Sequence, residues 1–170
     1  LATAHRGVEF LRKYGFDDDG RMFFTVTRDG QPLRKRRYVF SEMFAIAALA
    51  AYGDAAEDHR CLREAFDLWN HVEELVRKPD ALAPKVNPET RPCKGLAMPM
   101  IMLATAQILR RHCDDAVLRD TLTGRINTFI DEIATDFLRP EYQAVLETVG
   151  PNGEFLDHYD GRLINPGHAL

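Results

Sequence analysis

The sequence predicts an all-α fold built as a closed or partly closed ring of helix hairpins. Two segments, VFSEMFAIAALAAY (39–52) and LAMPMIMLATAQILRR (96–111), are apolar around most of their circumference. Each is followed by a long helix with one wet face. Concentric layering requires that alternation, because an inner helix meets neighbours on every side and an outer helix on one side only. The chain also shows no fixed repeat period, which argues against a helical solenoid.

The elements follow in order. Ala4, Val8 and Leu11 mark one face of a first helix, ended by Tyr14-Gly15. DDDG (17–20) is a turn. RMFFTVT (21–27) is aromatic and β-branched, and RDGQ (28–31) supplies the turn of a short hairpin. The apolar helix from Tyr38 to Tyr52 is expected to be buried on most faces and capped by Gly53. Asp54 is then placed to N-cap a helix running to about Lys78, with Leu62, Phe66, Trp69, Val72 and Val76 as its inward stripe. Residues 79–95 hold four of the nine prolines and read as a loop, of a length that is often functional.

In the second apolar helix Pro99 is tolerable only within a first turn. Asp114 or Asp115 can cap the next helix, which carries Leu118, Leu122, Ile126, Phe129, Ile133 and Phe137 inward and ends before Pro140. AVLETV (144–149), GPNG (150–153) and EFL (154–156) read as a second hairpin. DHYDGRLINPG then leads into a final helix that barely begins.

A chain of 170 residues with 45% hydrophobic and 28% charged residues suits one soluble globular domain over 1–170. The net charge of −4 gives no general attraction to nucleic acid or to an anionic membrane, and RKRR (34–37) reads as a solvated basic run. No apolar stretch approaches the ~18 residues of a membrane span. Cys61, Cys93 and Cys113 show no metal-ligand spacing and read as reduced thiols of a cytoplasmic protein. No carboxylate/histidine cluster has metal-ligand spacing and no Gly-rich phosphate loop is present, so neither metal nor cofactor is expected.

Six histidines are candidates for chemistry. His5, His59, His71 and His112 lie on helix surfaces or ends, and His158 lies in a loop beside two aspartates. His168 differs, because Asn-Pro-Gly fixes the backbone just before it and places it in a first helical turn. The positive end of a helix dipole disfavours imidazolium, and neutral imidazole is what a general base requires.

Read together, KRRYVFSEMFAIAALAAY, KGLAMPMIMLATAQIL, QAVLETVGPNGEF and GRLINPGH resemble the N-acylglucosamine 2-epimerase (renin-binding protein) family, in that family's order. The resemblance covers nearly the whole chain from about Tyr14, and NPGH downstream of QAVLE is its most specific part. It implies an (α/α)6 barrel of which this chain holds a part, with short hairpins in the rim loops around a sugar-binding cleft. It implies proton abstraction and return at C2 of an N-acyl-hexosamine or related hexose, through an enediol-type intermediate. His168 matches one of the family's two acid/base histidines, and the second would lie beyond Leu170. Arg162 and Glu147 match motif positions that could hold sugar hydroxyls or an oxyanion, although Glu147 also suits a cross-strand polar pair. Where relatives carry a substrate-binding arginine in the first inner helix of the matched region, SEMF presents Met43, leaving Arg36 and the candidate Arg37 just upstream.

The resemblance also implies a longer protein. Half a ring exposes inner-helix faces, so the remainder of the polypeptide, or another chain as in a homodimer, is expected to cover them. Two alternatives stay open, a non-catalytic interaction scaffold on the same barrel and an aldose–ketose isomerase of the same family.

Overall fold

The computed structural model describes residues 1–78 and 80–169. These form α1 (Ala2–Tyr14), β1 (Phe23–Val26), β2 (Pro32–Lys35), α2 (Phe40–Ala55), α3 (His59–Arg77), β3 (Lys94–Gly95), α4 (Ala97–Arg111), α5 (Ala116–Glu132), β4 (Leu138–Arg139), β5 (Ala144–Val145), β6 (Thr148–Val149) and α6 (Pro166–Ala169). A π-helical turn, Ile133–Phe137, continues α5. The residues pack into two compact units, one of Leu1–Lys85 with Ile108–Arg119, the other of Val86–Gln107 with the chain from Asp120 onward. The division falls within α4 and within α5.

In the first unit α2 lies along α3, and α1 packs on α2. The inward stripe of α3 is Cys61, Ala65, Leu68, Trp69 and Val72, with the expected Leu62, Phe66 and Val76 half-buried beside it. The hairpin of β1 and β2 forms as expected, pairing antiparallel from Phe23–Lys35 to Val26–Pro32.

Three sequence expectations change here. Gly53 does not cap α2; the helix runs through it to Ala55. A Cβ at Gly53 would stand 3.0 Å from Leu62 Cγ, 3.1 Å from Asp58 O and 3.1 Å from Cys61 Cβ. The glycine therefore serves the close approach of α3 to α2. The N-cap of α3 is accordingly Asp58, whose carboxylate accepts from the backbone N–H groups of Arg60 and Cys61. Asp54, still inside α2, instead meets His112 Nδ1 at 2.7 Å.

The third change concerns α2 itself, which is buried on one side and open on the other. Glu42, Met43, Ala45, Ile46, Leu49 and Ala50 are enclosed, whereas Phe44 keeps 68% of its surface exposed and Ala48 and Ala51 are exposed with it. The elements of this unit cover only one face. Beside Phe44 an apolar groove of about 430 Å³ is lined by Leu11, Met22, Phe24, Tyr38 and Phe40.

Glu42 is fully enclosed, and Arg21 donates to it through Nε at 2.6 Å. The Met22 backbone N–H donates to the same carboxylate oxygen at 2.9 Å. Arg21 Nη2 also reaches the carbonyls of Arg36 and Tyr38. One carboxylate thereby ties the hairpin to α2, while its second oxygen has no hydrogen-bond partner among the described residues.

In the second unit the predicted hairpin of 144–149 against 154–156 is replaced by one local and one long-range pairing. Ala144–Val145 pairs antiparallel with Leu138–Arg139, and Thr148–Val149 pairs with Lys94–Gly95. Residues 150–154 close instead as a turn, with Gly150 N–H donating to the Glu154 carbonyl and Arg139 donating to the Gly153 carbonyl. The reason is apolar. Leu146 and Val149 join Leu96 and Phe137 in a small buried cluster, with Met100, Ile133 and Val145 packed against it. Pairing with β3 and β4 brings these side chains together and buries them.

Asp115 caps α5 through the Leu118 N–H at 2.9 Å, which decides between the two aspartates offered by the sequence. Pro99 falls in the first turn of α4. No helix among the described residues is long and apolar enough to cross a membrane.

Candidate functional site

The segment Leu146–Thr148 is held by main-chain bonds on both sides. Leu146 N–H donates to the Phe137 carbonyl at 2.9 Å. Glu147 N–H donates to the Leu163 carbonyl at 3.2 Å, and the Glu147 carbonyl accepts from Leu96 N–H at 3.0 Å. Glu147 is thus fixed between the strand entering α4 and the extended segment leading to Asn165-Pro166-Gly167-His168.

That extended segment is set up by a tight turn over Asp160–Arg162. A Cβ on Gly161 would lie 1.9 Å from the Leu156 carbonyl oxygen, so only glycine allows the turn to close on the preceding loop. Arg91 in the proline-rich loop pairs with Asp160 and anchors the turn from the other side. Asn165 then opens α6. Its Oδ1 accepts from Gly167 N–H at 3.0 Å, and its carbonyl accepts from His168 N–H at 2.9 Å.

The result is a contact between two of the residues singled out in the sequence. His168 Nδ1 lies 2.8 Å from Glu147 Oε1, with the side chains 34% and 13% exposed respectively. Asn165 Nδ2 stands 3.2 Å from the same Nδ1. A carboxylate on Nδ1 can hold the ring hydrogen there and leave Nε2 with a free lone pair, the arrangement a general base uses.

Arg162 and Arg37 are placed differently. The Arg162 guanidinium binds the Asp157 carboxylate, Nε to Oδ1 at 3.1 Å, as an exposed ion pair, and no hydrogen bond joins it to Glu147 or His168 among the described residues. Arg37 lies in the first unit, where Nη1 donates to the Pro84 carbonyl at 3.1 Å. Met43 is packed in the core of the first unit at 1% exposure. His158 is exposed, its Nδ1 4.0 Å from Asp160 Oδ2.

Sequence reasoning missed two parts of the support around Glu147. Lys94, the first residue of β3, binds Glu132 at 2.8 Å and Asp136 as well. Burial works to lower its pKa, but the hydrogen bonds to Asp136 and Glu132 outweigh it and hold the ammonium above its ordinary value. Asp136 sits in the π-helical turn, and no local pattern announced that the extra residue there would aim it at Lys94. Asn165 was legible as part of NPGH but not as a partner of the imidazole. Among the described residues no group of three or more His, Cys, Asp or Glu side chains is arranged to hold a metal ion.

Paired helices, with a histidine held against a carboxylate on an Asn-Pro-Gly bend, define a predominantly helical class of protein, and comparison with known proteins narrows it. The family model for N-acylglucosamine 2-epimerase (GlcNAc 2-epimerase) matches residues 1–170. The chain belongs to that family. It is 29% identical over 173 residues to N-acylglucosamine 2-epimerase of Bos taurus, covering 100% of this chain and 40% of that protein. The enzyme of the same name from Mus musculus is 28% identical over 178 residues, covering 100% of this chain and 41% of its own length. The solved cellobiose 2-epimerase from Bacillus thermoamylovorans B4167 superposes with a TM-score of 0.77 at 19% identity, over 92% of this chain and 43% of that one. The fold is thus all-α and of the (α/α)6-barrel type, present here in part. The chain spans about two-fifths of the length of the curated relatives it matches.

Proposed function

We propose that this chain belongs to a sugar 2-epimerase that interconverts N-acylglucosamine and N-acylmannosamine, or a closely related hexose pair, with His168 as one acid/base group. The observation that carries the reading is the 2.8 Å contact between His168 Nδ1 and the mostly buried Glu147 carboxylate. The relatives' names supply the reaction class.

In the open-chain sugar the hydrogen on C2 is weakly acidic because the neighbouring C1 carbonyl can take up the electron pair. Nε2 of neutral His168 accepts that proton, the C–H electrons form a C1–C2 double bond and the carbonyl pair moves onto the C1 oxygen, giving an enolate (an enediolate where C2 carries hydroxyl in place of acylamino). Glu147 holds Nδ1–H and stabilises the imidazolium as it forms. Return of a proton to the opposite face of C2 by a second group inverts the centre. Donors at the C1 oxygen are needed while it carries charge. Arg162 and Arg37 remain the proposed substrate-binding arginines. Arg162 would exchange Asp157 for substrate, and Arg37 would leave the Pro84 carbonyl.

Three free cysteines, two of them buried, suit a reducing compartment, and the cytoplasm is proposed. The exposed Phe44 and its groove support a covering surface in the working molecule, from further polypeptide or a second copy.

The test is solvent-deuterium incorporation at C2 of N-acetylmannosamine, N-acetylglucosamine, mannose and glucose by the full gene product. Exchange into one of these sugars that His168→Ala abolishes is expected. Absence of exchange into all four overturns the reading in favour of a non-catalytic scaffold.

A further inference from the structure

We propose that Asn165 and Glu147 compete for one ring nitrogen of His168, so that the Asn165 amide sets which tautomer the neutral imidazole adopts. Nδ1 lies 2.8 Å from Glu147 Oε1 and 3.2 Å from Asn165 Nδ2. The orientation of the amide follows from its other contact. Gly167 N–H can only donate, so the atom 3.0 Å from it is the Asn165 oxygen. The NH2 group is therefore the one turned to the ring.

A carboxylate accepts and an amide NH2 donates, and one nitrogen cannot satisfy both. With hydrogen on Nδ1, the ring donates to Glu147, sets its hydrogen against those of Asn165 and leaves Nε2 as a base. With Nδ1 bare, the ring accepts from Asn165, turns its lone pair on the Glu147 oxygen and carries hydrogen on Nε2. Asn165 thus offsets a carboxylate that would otherwise pin the hydrogen on Nδ1. This inference rests on the acid/base reading of His168. A group that takes a proton in one direction of a reversible reaction and returns it in the other gains from such a balance. Asn165 acts through His168 and is a positioning residue.

The test reads hydrogen placement and not turnover. In the full gene product labelled with 15N in the histidine rings, proton–nitrogen correlation spectra are recorded at a pH where His168 is neutral. Wild type is expected to give nitrogen shifts intermediate between the two tautomers. Asn165→Ser, whose hydroxyl still offers an acceptor to Gly167 N–H, is expected to move the hydrogen to Nδ1, and Glu147→Ala to move it to Nε2. Identical ring shifts in wild type and Asn165→Ser overturn the proposal. Should Asn165→Ser lose the native spectrum, Asn165→Asp keeps the cap acceptor and replaces the donor with an acceptor; a bare Nδ1 there overturns it equally. Failure of deuterium exchange at C2 would sink the epimerase reading alone, and unchanged ring shifts would sink this inference alone.

Discussion

Glu147 and His168 stand 21 positions apart in the chain and are joined side chain to side chain across 2.8 Å. Neither element bearing them is long: a two-residue strand follows Glu147, and His168 lies in a one-turn helix. Their meeting depends on main-chain bonds from Leu96 and Leu163 to Glu147 and on the turn closed at Gly161.

Removal of the imidazole should remove the chemistry assigned to it. His168→Ala is expected to lower C2 deuterium exchange by ~10²–10⁴-fold, the usual contribution of a positioned acid/base group. Glu147→Gln should slow exchange by a smaller factor, since Nε2 survives and only its support is weakened. His158→Ala, altering an exposed loop side chain, should exchange like wild type. Initial rates by NMR, with circular dichroism to confirm folding, check all three.

Glu42 should be among the most sensitive positions of the first unit. Glu42→Ala strands the Arg21 guanidinium and the Met22 N–H in the interior. Breaking a buried pair from one side costs ~3–5 kcal/mol, and urea unfolding should report a loss of that order. Glu42→Gln keeps an acceptor for Met22 and should lose less.

Gly53 and Gly7 offer a matched contrast within helices. A methyl group at Gly53 meets three atoms at 3.0–3.1 Å, so Gly53→Ala should cost about 1–3 kcal/mol by overpacking. At Gly7 nothing lies within 4 Å of a new Cβ, and Gly7→Ala should stabilise by about 0.5–1 kcal/mol. Thermal midpoints moving in opposite directions would bear this out.

Burial, helped by the hydrogen bond to Asp58, pushes the Cys61 thiol from its ordinary 9.0 up to about 11. Between those values the folded state keeps a proton that the unfolded chain has released. Stability from this group is therefore complete below pH 9 and is lost as pH rises through 11. Urea midpoints of wild type should fall more steeply over that window than those of Cys61→Ala. At neutral pH the buried thiol should resist alkylation in native protein and react once it is unfolded.

The helices were legible because their signal is local. Apolar spacing in HRCLREAFDLWNHVEELVR repeats at the helical period and needs no knowledge of what lies opposite. The first hairpin was legible for the same reason, its turn residues lying between its two strands. Cap positions were less so, since Asp54 and Asp58 are both acceptable and only the approach of α3 at Gly53 selects the latter. Glu42, a carboxylate in the first turn of an apolar helix, does not by itself name Arg21 as its partner.

By itself the sequence determined the helical periods, the first hairpin, the NPGH bend and the family to which they point. Tertiary structure alone decided that Thr148–Val149 pairs with Lys94–Gly95, that Asp136 reaches Lys94, and that Glu147 and Asn165 share one nitrogen of His168. The physical reason is the range of the forces involved. Helical spacing is imposed within a few residues, whereas strand pairing and side-chain partnership are selected by burial of Leu96 against Phe137, Leu146 and Val149, which lie far along the chain from Leu96 until it has folded.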